Sequence, residues 1–178
     1  MPDANPRPDQ IGRACELIGR FSYHFSRLDE QLNSAIVHLF KLEEATADII
    51  TSNIDFARKL NIVHSAVNEQ NASPEQEWLR KSIKETFGAL YAVNMERQVV
   101  AHSAFEPDDK DGVQFRRTVA RGQLNRLDPH WSEDKFHKEF EKMQKLEREL
   151  ENVLRHIKPY RPSLDFSDPR NSMYLGIL

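Results

Sequence analysis

Residues 89–103 read Ala-Leu-Tyr-Ala-Val-Asn-Met-Glu-Arg-Gln-Val-Val-Ala-His-Ser. This stretch continues an amphipathic helix, because Ile83, Phe87 and Leu90 are spaced by four and three residues. The next position on the same face is Asn94, so an apolar stripe turns polar partway along the helix. Polar groups on a buried face are costly unless they are paired or used. This point of the helix is therefore the first place to look for a functional site.

Similar spacing predicts the rest of the fold. A long helix with a wide apolar stripe covers residues 18–39, and a less regular helix is predicted over residues 52–68. Ser73, followed by Pro74, is typical of the start of the central helix, and Ser132 of the start of the last one. Between them, residues 113–119 have the composition of a strand. The predicted fold class is all-α, an antiparallel up-and-down helical bundle with a short β-hairpin inserted before the last helix.

Prolines near both ends of the chain define the domain boundaries. We expect a disordered N-terminal tail over residues 1–10, one helical domain over residues 11–158 and an irregular C-terminal tail over residues 159–178. Hydrophobic residues make up 39% of the 178-residue chain, which is enough for one domain with a real core.

Composition also narrows the class of protein. No apolar run approaches the roughly 20 residues of a membrane span, and the polar N-terminus does not resemble a signal peptide. The single cysteine, Cys15, fits a reducing compartment, so a cytoplasmic protein without a membrane partner is expected. The net charge of −3 argues against a generally cationic nucleic-acid binder but allows a local basic patch. Neither a GxGxxG nor a P-loop pattern occurs, and no cofactor is predicted.

Arg97 and His102 form the candidate catalytic pair. An always-charged guanidinium can hold a phosphate through two parallel hydrogen bonds, and an imidazole exchanges a proton near neutral pH. Together they suit attack of a ribose 2′-hydroxyl on its own phosphodiester, a reaction that needs no metal. One pair supplies half of a two-proton mechanism, so a two-fold homodimer would complete the site.

The spacing leaves a structural alternative open. Five residues turn an ideal helix by about 500°, so the two side chains diverge by about 140° unless the helix ends or distorts near residues 100–102. In the structural alternative, Arg97 pairs with a carboxylate on a neighbouring helix and His102 caps a helix end.

Residues 94–103, Asn-Met-Glu-Arg-Gln-Val-Val-Ala-His-Ser, resemble the Arg-x(4–6)-His motif of the HEPN superfamily. Residues 25–33 and the Phe-Ala-Arg-Lys-Leu stretch at 56–60 are similar to segments of small bacterial HEPN-like proteins. The resemblance covers roughly residues 11–158. It implies a dimeric all-α bundle and a metal-independent endoribonuclease, often in toxin–antitoxin or defence systems. Other members of this superfamily only bind RNA, a nucleotide or a partner protein.

By matching positions, Arg97 and His102 carry the catalytic role that the resemblance implies. Asn94, Gln98 and Ser103 are the flanking candidates for substrate binding. Gln98 departs from the Asn, Asp or His that usually follows the arginine, which favours the non-catalytic alternative. The chain lacks a nucleotidyltransferase-type Gly-Ser…Asp-x-Asp segment, so a nucleotidyltransferase or antitoxin partner would be a separate protein.

A basic ribbon follows the motif. Between residues 112 and 131 there are four arginines and one acidic residue, Asp128. Arg116 and Arg117 are the candidates for tracking an RNA backbone, with Phe115 or Trp131 available for base stacking. A hairpin with one solvated arginine face is the equally supported alternative.

A metal site is not predicted. His24 and His38 lie four helical turns apart, too far to share one ion, and Asp134 with His137 forms a lone Asp-x-x-His.

Overall fold

The computed structural model describes residues 7–70, 77–108, 111–121 and 123–159. Five helices lie in these ranges: α1 (Pro8–Phe40), α2 (Glu44–Ser52), α3 (Phe56–Gln70), α4 (Glu77–His102) and α5 (Glu133–Arg155). Four strands separate α4 from α5: β1 (Ala104–Pro107), β2 (Val113–Arg121), β3 (Gln123–Leu127) and β4 (His130–Trp131). A helical bundle with a β insertion before its last helix is thus confirmed. The predicted helix start at Ser73 and most of the predicted tails lie outside the described residues.

The first helix follows the predicted apolar stripe. Its buried residues include Phe21, Phe25, Leu28, Leu32, Ala35 and Leu39. Helix α1 packs against α3 and α5, and α4 closes the bundle by packing against the same two helices. The helix begins at Pro8, three residues before the domain boundary expected at residue 11. None of the helices in the described ranges is long and apolar enough to cross a membrane.

The sequence prediction was wrong about the second helix. It placed a single helix over residues 52–68, whereas the structure has α3 there and a separate short helix, α2, ahead of it. The break occurs because Asp55 caps the start of α3: its Oδ1 accepts a hydrogen bond from the backbone N–H of Arg58 at 2.9 Å. Asn53 ends α2, and its side-chain amide donates to the carbonyl of Ile49 at 2.7 Å.

The β insertion is larger than the predicted hairpin. Strand β2 pairs antiparallel with β1, β3 and β4, in a register that places Phe105 opposite Phe115 and Val113 opposite Trp131. Strand β1 begins two residues after α4 ends, so the sheet is attached directly to the helix that contains Arg97 and His102.

Trp131 joins this sheet to the bundle. Its ring makes edge contacts with Phe21 of α1, Phe115 of β2 and Phe136 of α5, at centroid distances of 5.7, 5.6 and 5.1 Å. Gly112 is required beside it, because φ is +81° there and a Cβ would overlap the Trp131 carbonyl oxygen. Phe115 and Trp131 are both fully buried, so the prediction that they stack on RNA bases was wrong.

Helix α5 begins as predicted. The Ser132 hydroxyl accepts a hydrogen bond from the backbone N–H of Lys135 at 3.2 Å. Farther along, Glu147 of α5 forms an ion pair with Arg27 of α1 at 2.9 Å, which links these two packed helices at the surface.

Candidate functional site

Arg97 lies near the C-terminal end of α4, half-buried in the wall of a groove. Its guanidinium carbon is 5.4 Å from the centre of the Phe25 ring, within cation–π range. Phe25 in turn packs on Phe56 of α3, with ring centroids 4.5 Å apart. Within the described residues, Arg97 makes neither a hydrogen bond nor an ion pair.

This arrangement orients Arg97 without using its hydrogen-bonding capacity. A cation–π contact engages the flat face of the guanidinium, whereas its five N–H donors lie at the edge. A half-buried guanidinium with free donors in a groove is suited to binding an anion, above all one that accepts two parallel hydrogen bonds. The alternative in which Arg97 pairs with a carboxylate on a neighbouring helix finds no such partner among the described residues.

His102 is the last residue of α4 and is exposed. Helix α4 remains helical through His102, so this side chain and Arg97 project from different sides of the helix, about 140° apart. Arg97, Val100 and Ala101 line the groove, and His102 is not among its lining residues. One chain therefore does not bring the two candidate catalytic groups together.

The groove lies between α1, α2, the start of α3 and the end of α4, and has a volume of about 970 Å³. Phe21, Phe25 and Phe56 form its aromatic floor, and all three are buried. Ile49 of α2 stands at its rim and is 67% exposed. The size and the mixed lining fit an organic ligand with an apolar part and a charged part.

A second cation lies deeper in the groove. The Lys59 ammonium of α3 forms an ion pair with Asp29 of α1 at 2.8 Å, and its side chain is only 6% exposed. Removing one partner of such a pair leaves a buried charge uncompensated, so the pair fixes the start of α3 against α1. Lys59 is thus committed within the fold, and Arg97 is the cation that remains open to a ligand.

The residues that flank Arg97 are partly engaged. Asn94 is buried one turn before it on the same face. The side-chain oxygen of Gln98 lies 3.5 Å from the Arg117 guanidinium, at the outer limit of a hydrogen bond. The Ser103 hydroxyl oxygen is buried and, within the described part of the chain, has no hydrogen-bond partner.

The sheet arginines whose side chains the structure describes, Arg116, Arg117 and Arg126, differ in their surroundings. Arg116 forms an ion pair with Glu106 across the β1–β2 pairing at 2.7 Å, and Arg117 is half-buried near Gln98. Arg126 on β3 is exposed. Of the two predicted RNA-tracking residues, Arg117 lies beside α4 and connects the sheet to the helix that holds Arg97.

The described residues contain no cluster of three or more His, Cys, Asp or Glu side chains that could hold a metal ion. His24 packs on the ring of Phe140 at 5.5 Å, and burial together with the nearby charge of Arg20 lowers its pKa. Asp134 forms an ion pair with Lys138 at 2.6 Å.

Comparison with protein-family models, with curated proteins and with solved structures finds no match to this chain. We therefore infer which ligands the groove can bind from the side chains that line it.

Sequence reasoning singled out Arg97 but missed the opposite wall of the groove. Lys59 follows Phe56 by three residues, so it places a cation on the apolar face of α3. A charged residue on an otherwise apolar face is the exception that also marked Arg97. Asp29 follows Phe25 by four residues on α1 in the same way. These two exceptions were visible in the sequence. That they share one groove with Arg97 was not, because it depends on how three helices pack.

Proposed function

We propose that this protein is a metal-independent endoribonuclease of the HEPN type that acts as a homodimer. One observation supports the proposal most strongly: Arg97 presents a half-buried guanidinium, oriented by Phe25, whose donors have no partner among the described residues. A phosphodiester can accept two parallel hydrogen bonds from such a guanidinium.

The proposed reaction is an in-line attack within the RNA chain. The 2′-oxygen of a ribose forms a bond to the adjacent phosphorus, and the bond from phosphorus to the 5′-oxygen of the next nucleotide breaks. A base removes the proton of the 2′-hydroxyl, and an acid donates one to the departing 5′-oxygen. Arg97 stabilises the extra negative charge on the phosphate in the transition state. The products are a 2′,3′-cyclic phosphate and a 5′-hydroxyl.

His102 is the proposed proton-transfer group. Its imidazole is exposed, so RNA can reach it, and an imidazole is a common general acid or base in catalysis. Because it projects away from Arg97 in the same chain, we propose that His102 of a second copy completes each site. Two copies also supply the two imidazoles that two proton transfers require.

The exposed face of α4, on the side of the helix away from Arg97, is suited to an interface between two copies. Gly88, Ala92, Met95, Val99 and His102 follow one another at steps of four and three residues. The first three are exposed, Met95 at 61%, and Val99 is half-buried. Glycine and alanine allow two helix backbones to approach closely, and methionine and valine supply apolar area. Packing α4 on its copy through this face would bring the two His102 side chains to one interface, whereas placing His102 beside the partner's Arg97 requires a packing in which the groove faces the second copy.

A second candidate function is binding without cleavage, in which the same groove holds RNA, a nucleotide or a partner protein. The contact between Gln98 and Arg117 favours it, because a side chain engaged with the sheet is not free to position a substrate. We further propose that any antitoxin or nucleotidyltransferase acting with this protein is a separate chain.

The test is cleavage of a panel of single-stranded RNAs in the presence of EDTA. We expect the His102→Ala variant to lose at least about 100-fold in rate, the usual contribution of a proton-transfer group. His137→Ala, which changes an exposed histidine on α5, is the matched control and should cleave like wild type. Equal rates for wild type and His102→Ala would refute the catalytic proposal. Tight binding by a wild-type protein that never cleaves would support the second candidate.

Expression in bacteria tests a toxin role independently of the cleavage assay. If the protein cleaves cellular RNA, its expression should slow growth, and Arg97→Ala should relieve that effect at equal protein level. Toxicity that persists in the Arg97→Ala variant would contradict an Arg97-dependent nuclease.

A further inference from the structure

The groove next to Arg97 has an unusual distribution of free hydrogen-bonding groups. The described lining of the groove has four hydroxyls, and each donates its only proton to a backbone carbonyl oxygen of its own helix. Ser22 donates to Ile18 at 2.9 Å, Ser26 to Tyr23 at 2.8 Å, Thr51 to Ala47 at 2.8 Å and Ser52 to Asp48 at 2.6 Å. A hydroxyl whose proton is used keeps only its acceptor lone pairs. In this arrangement the hydroxyls on this surface offer acceptor lone pairs to a ligand, because their protons are already used.

Among the other polar groups of the groove, Asn33 and Asp48 add acceptors, whereas the Asn53 amide donates one N–H to the Ile49 carbonyl and retains a second. The side-chain amide nitrogen of Asn33 donates to Glu30 at 3.2 Å, and its Oδ1 is buried with no hydrogen-bond partner in the described part of the chain. A buried acceptor without a partner costs free energy that a ligand donor would recover. Asp48 adds a carboxylate, which accepts hydrogen bonds only. We define this set as the acceptor rim: Ser22, Ser26, Asn33, Asp48, Thr51 and Ser52.

Arg97 is the main donor in the same groove. It carries five N–H groups with no partner among the described residues, while Lys59 is buried against Asp29. A ligand that matches this lining has an anionic group for Arg97, N–H donors for the acceptor rim and a flat part for the aromatic side chains of Phe21, Phe25 and Phe56.

We propose that the groove binds one nucleotide of the RNA, with its phosphate on Arg97 and an amino-bearing base, cytosine or adenine, against the acceptor rim. This inference rests on the proposed function and names the base that the same site prefers. Cytosine presents an N4 amino group where uracil presents the O4 carbonyl, and the two bases are otherwise nearly identical in shape. Adenine and hypoxanthine differ in the same way at position 6. A rim made of acceptors pairs with an amino group and repels a carbonyl oxygen.

The test is isothermal titration calorimetry of the full chain with two pairs of mononucleotides, CMP against UMP and AMP against IMP. We expect CMP and AMP to bind about tenfold more tightly than their carbonyl counterparts, the effect of one good hydrogen bond gained and one repulsion avoided. In Asp48→Asn the preference should fall, because an amide also offers donors to a carbonyl oxygen. Glu44→Gln, on the same helix but outside the groove lining, is the matched control and should keep the preference.

The outcomes separate this inference from the proposed function. Equal affinity within both pairs, with binding lost in Arg97→Ala, would overturn the base preference and leave phosphate binding by Arg97 intact. A preference that survives unchanged in Asp48→Asn would refute the role of the rim carboxylate. Absence of binding by all four nucleotides, or binding that does not depend on Arg97, would overturn both proposals.

Discussion

Replacing Phe25 by leucine should weaken RNA binding although Phe25 is buried beneath Arg97. The substitution keeps an apolar side chain but removes the aromatic face 5.4 Å from the Arg97 guanidinium carbon. For a half-buried pair, that contact is worth about 1 kcal/mol. Arg97 would then have to be ordered at the moment of binding, so we expect affinity for single-stranded RNA to fall by up to about fivefold. Fluorescence anisotropy of a labelled RNA in EDTA measures this change directly.

Phe87→Leu is the matched control. Phe87 is a buried aromatic residue of α4 outside the groove lining, and its ring stacks on His64 at 4.4 Å. Each variant loses one aromatic pair, worth about 0.5–1.5 kcal/mol, so urea unfolding should show similar losses of stability. Only Phe25→Leu should lose RNA affinity. If both variants bind RNA like wild type, or both weaken it equally, then Phe25 does not orient Arg97.

Two further predictions concern stability. Lys59→Met should lower the free energy of unfolding by about 1–3 kcal/mol, because it leaves the one-third-exposed Asp29 carboxylate unpaired, and adding Asp29→Asn should recover part of the loss in urea unfolding. His64 stacks on Phe87 at 4.4 Å, and burial lowers its pKa below the ordinary 6.5. The unfolded chain then binds the proton more readily, so this contribution to stability is complete above pH 6.5 and is lost as the pH falls toward the lowered pKa. In His64→Phe, the free energy of unfolding should differ less between about pH 7.5 and about pH 5.5 than in wild type. A pH dependence identical to that of wild type would contradict the assignment.

Local signals predicted most of the helical framework. The three- and four-residue spacing in α1 and α5 corresponds to faces that are buried in the structure, and Ser132 caps α5 as its sequence context indicated. Helix α2 escaped prediction because it is short and buries only Ala47 and Thr51, which leaves little periodic signal. Asp55 before Phe56 was the available sign that a new helix begins there.

The pairing of the strands in the β insertion could not be predicted from local sequence. The composition of β2 indicated a strand, but its three pairing partners include residues on both sides of it in the chain. Trp131 has the character of a stacking residue in isolation and becomes a core residue only because α1, β2 and α5 meet around it.

The candidate site was predictable in part. The polar residues on the apolar stripe of α4 pointed to Arg97, and the structure places it in the wall of the groove between α1, α2, α3 and α4. The separation of His102 from Arg97 follows from helical geometry that was already computable from the spacing. The acceptor rim was not predictable, because it depends on which backbone carbonyl each hydroxyl contacts and on the approach of α2 to α1.

The central claim is that the free guanidinium of Arg97 binds an RNA phosphate, and the most direct test compares Arg97→Ala with wild type in RNA binding. Hydrogen bonds from a charged donor are worth about 1.5–3 kcal/mol, so affinity for single-stranded RNA in EDTA should fall by roughly 10- to 150-fold, while urea unfolding should lose at most about 1 kcal/mol, the value of the contact with Phe25. Arg148→Ala, an exposed arginine on α5, should bind like wild type. Arg97→Ala protein that is folded and binds RNA as tightly as wild type would contradict the account.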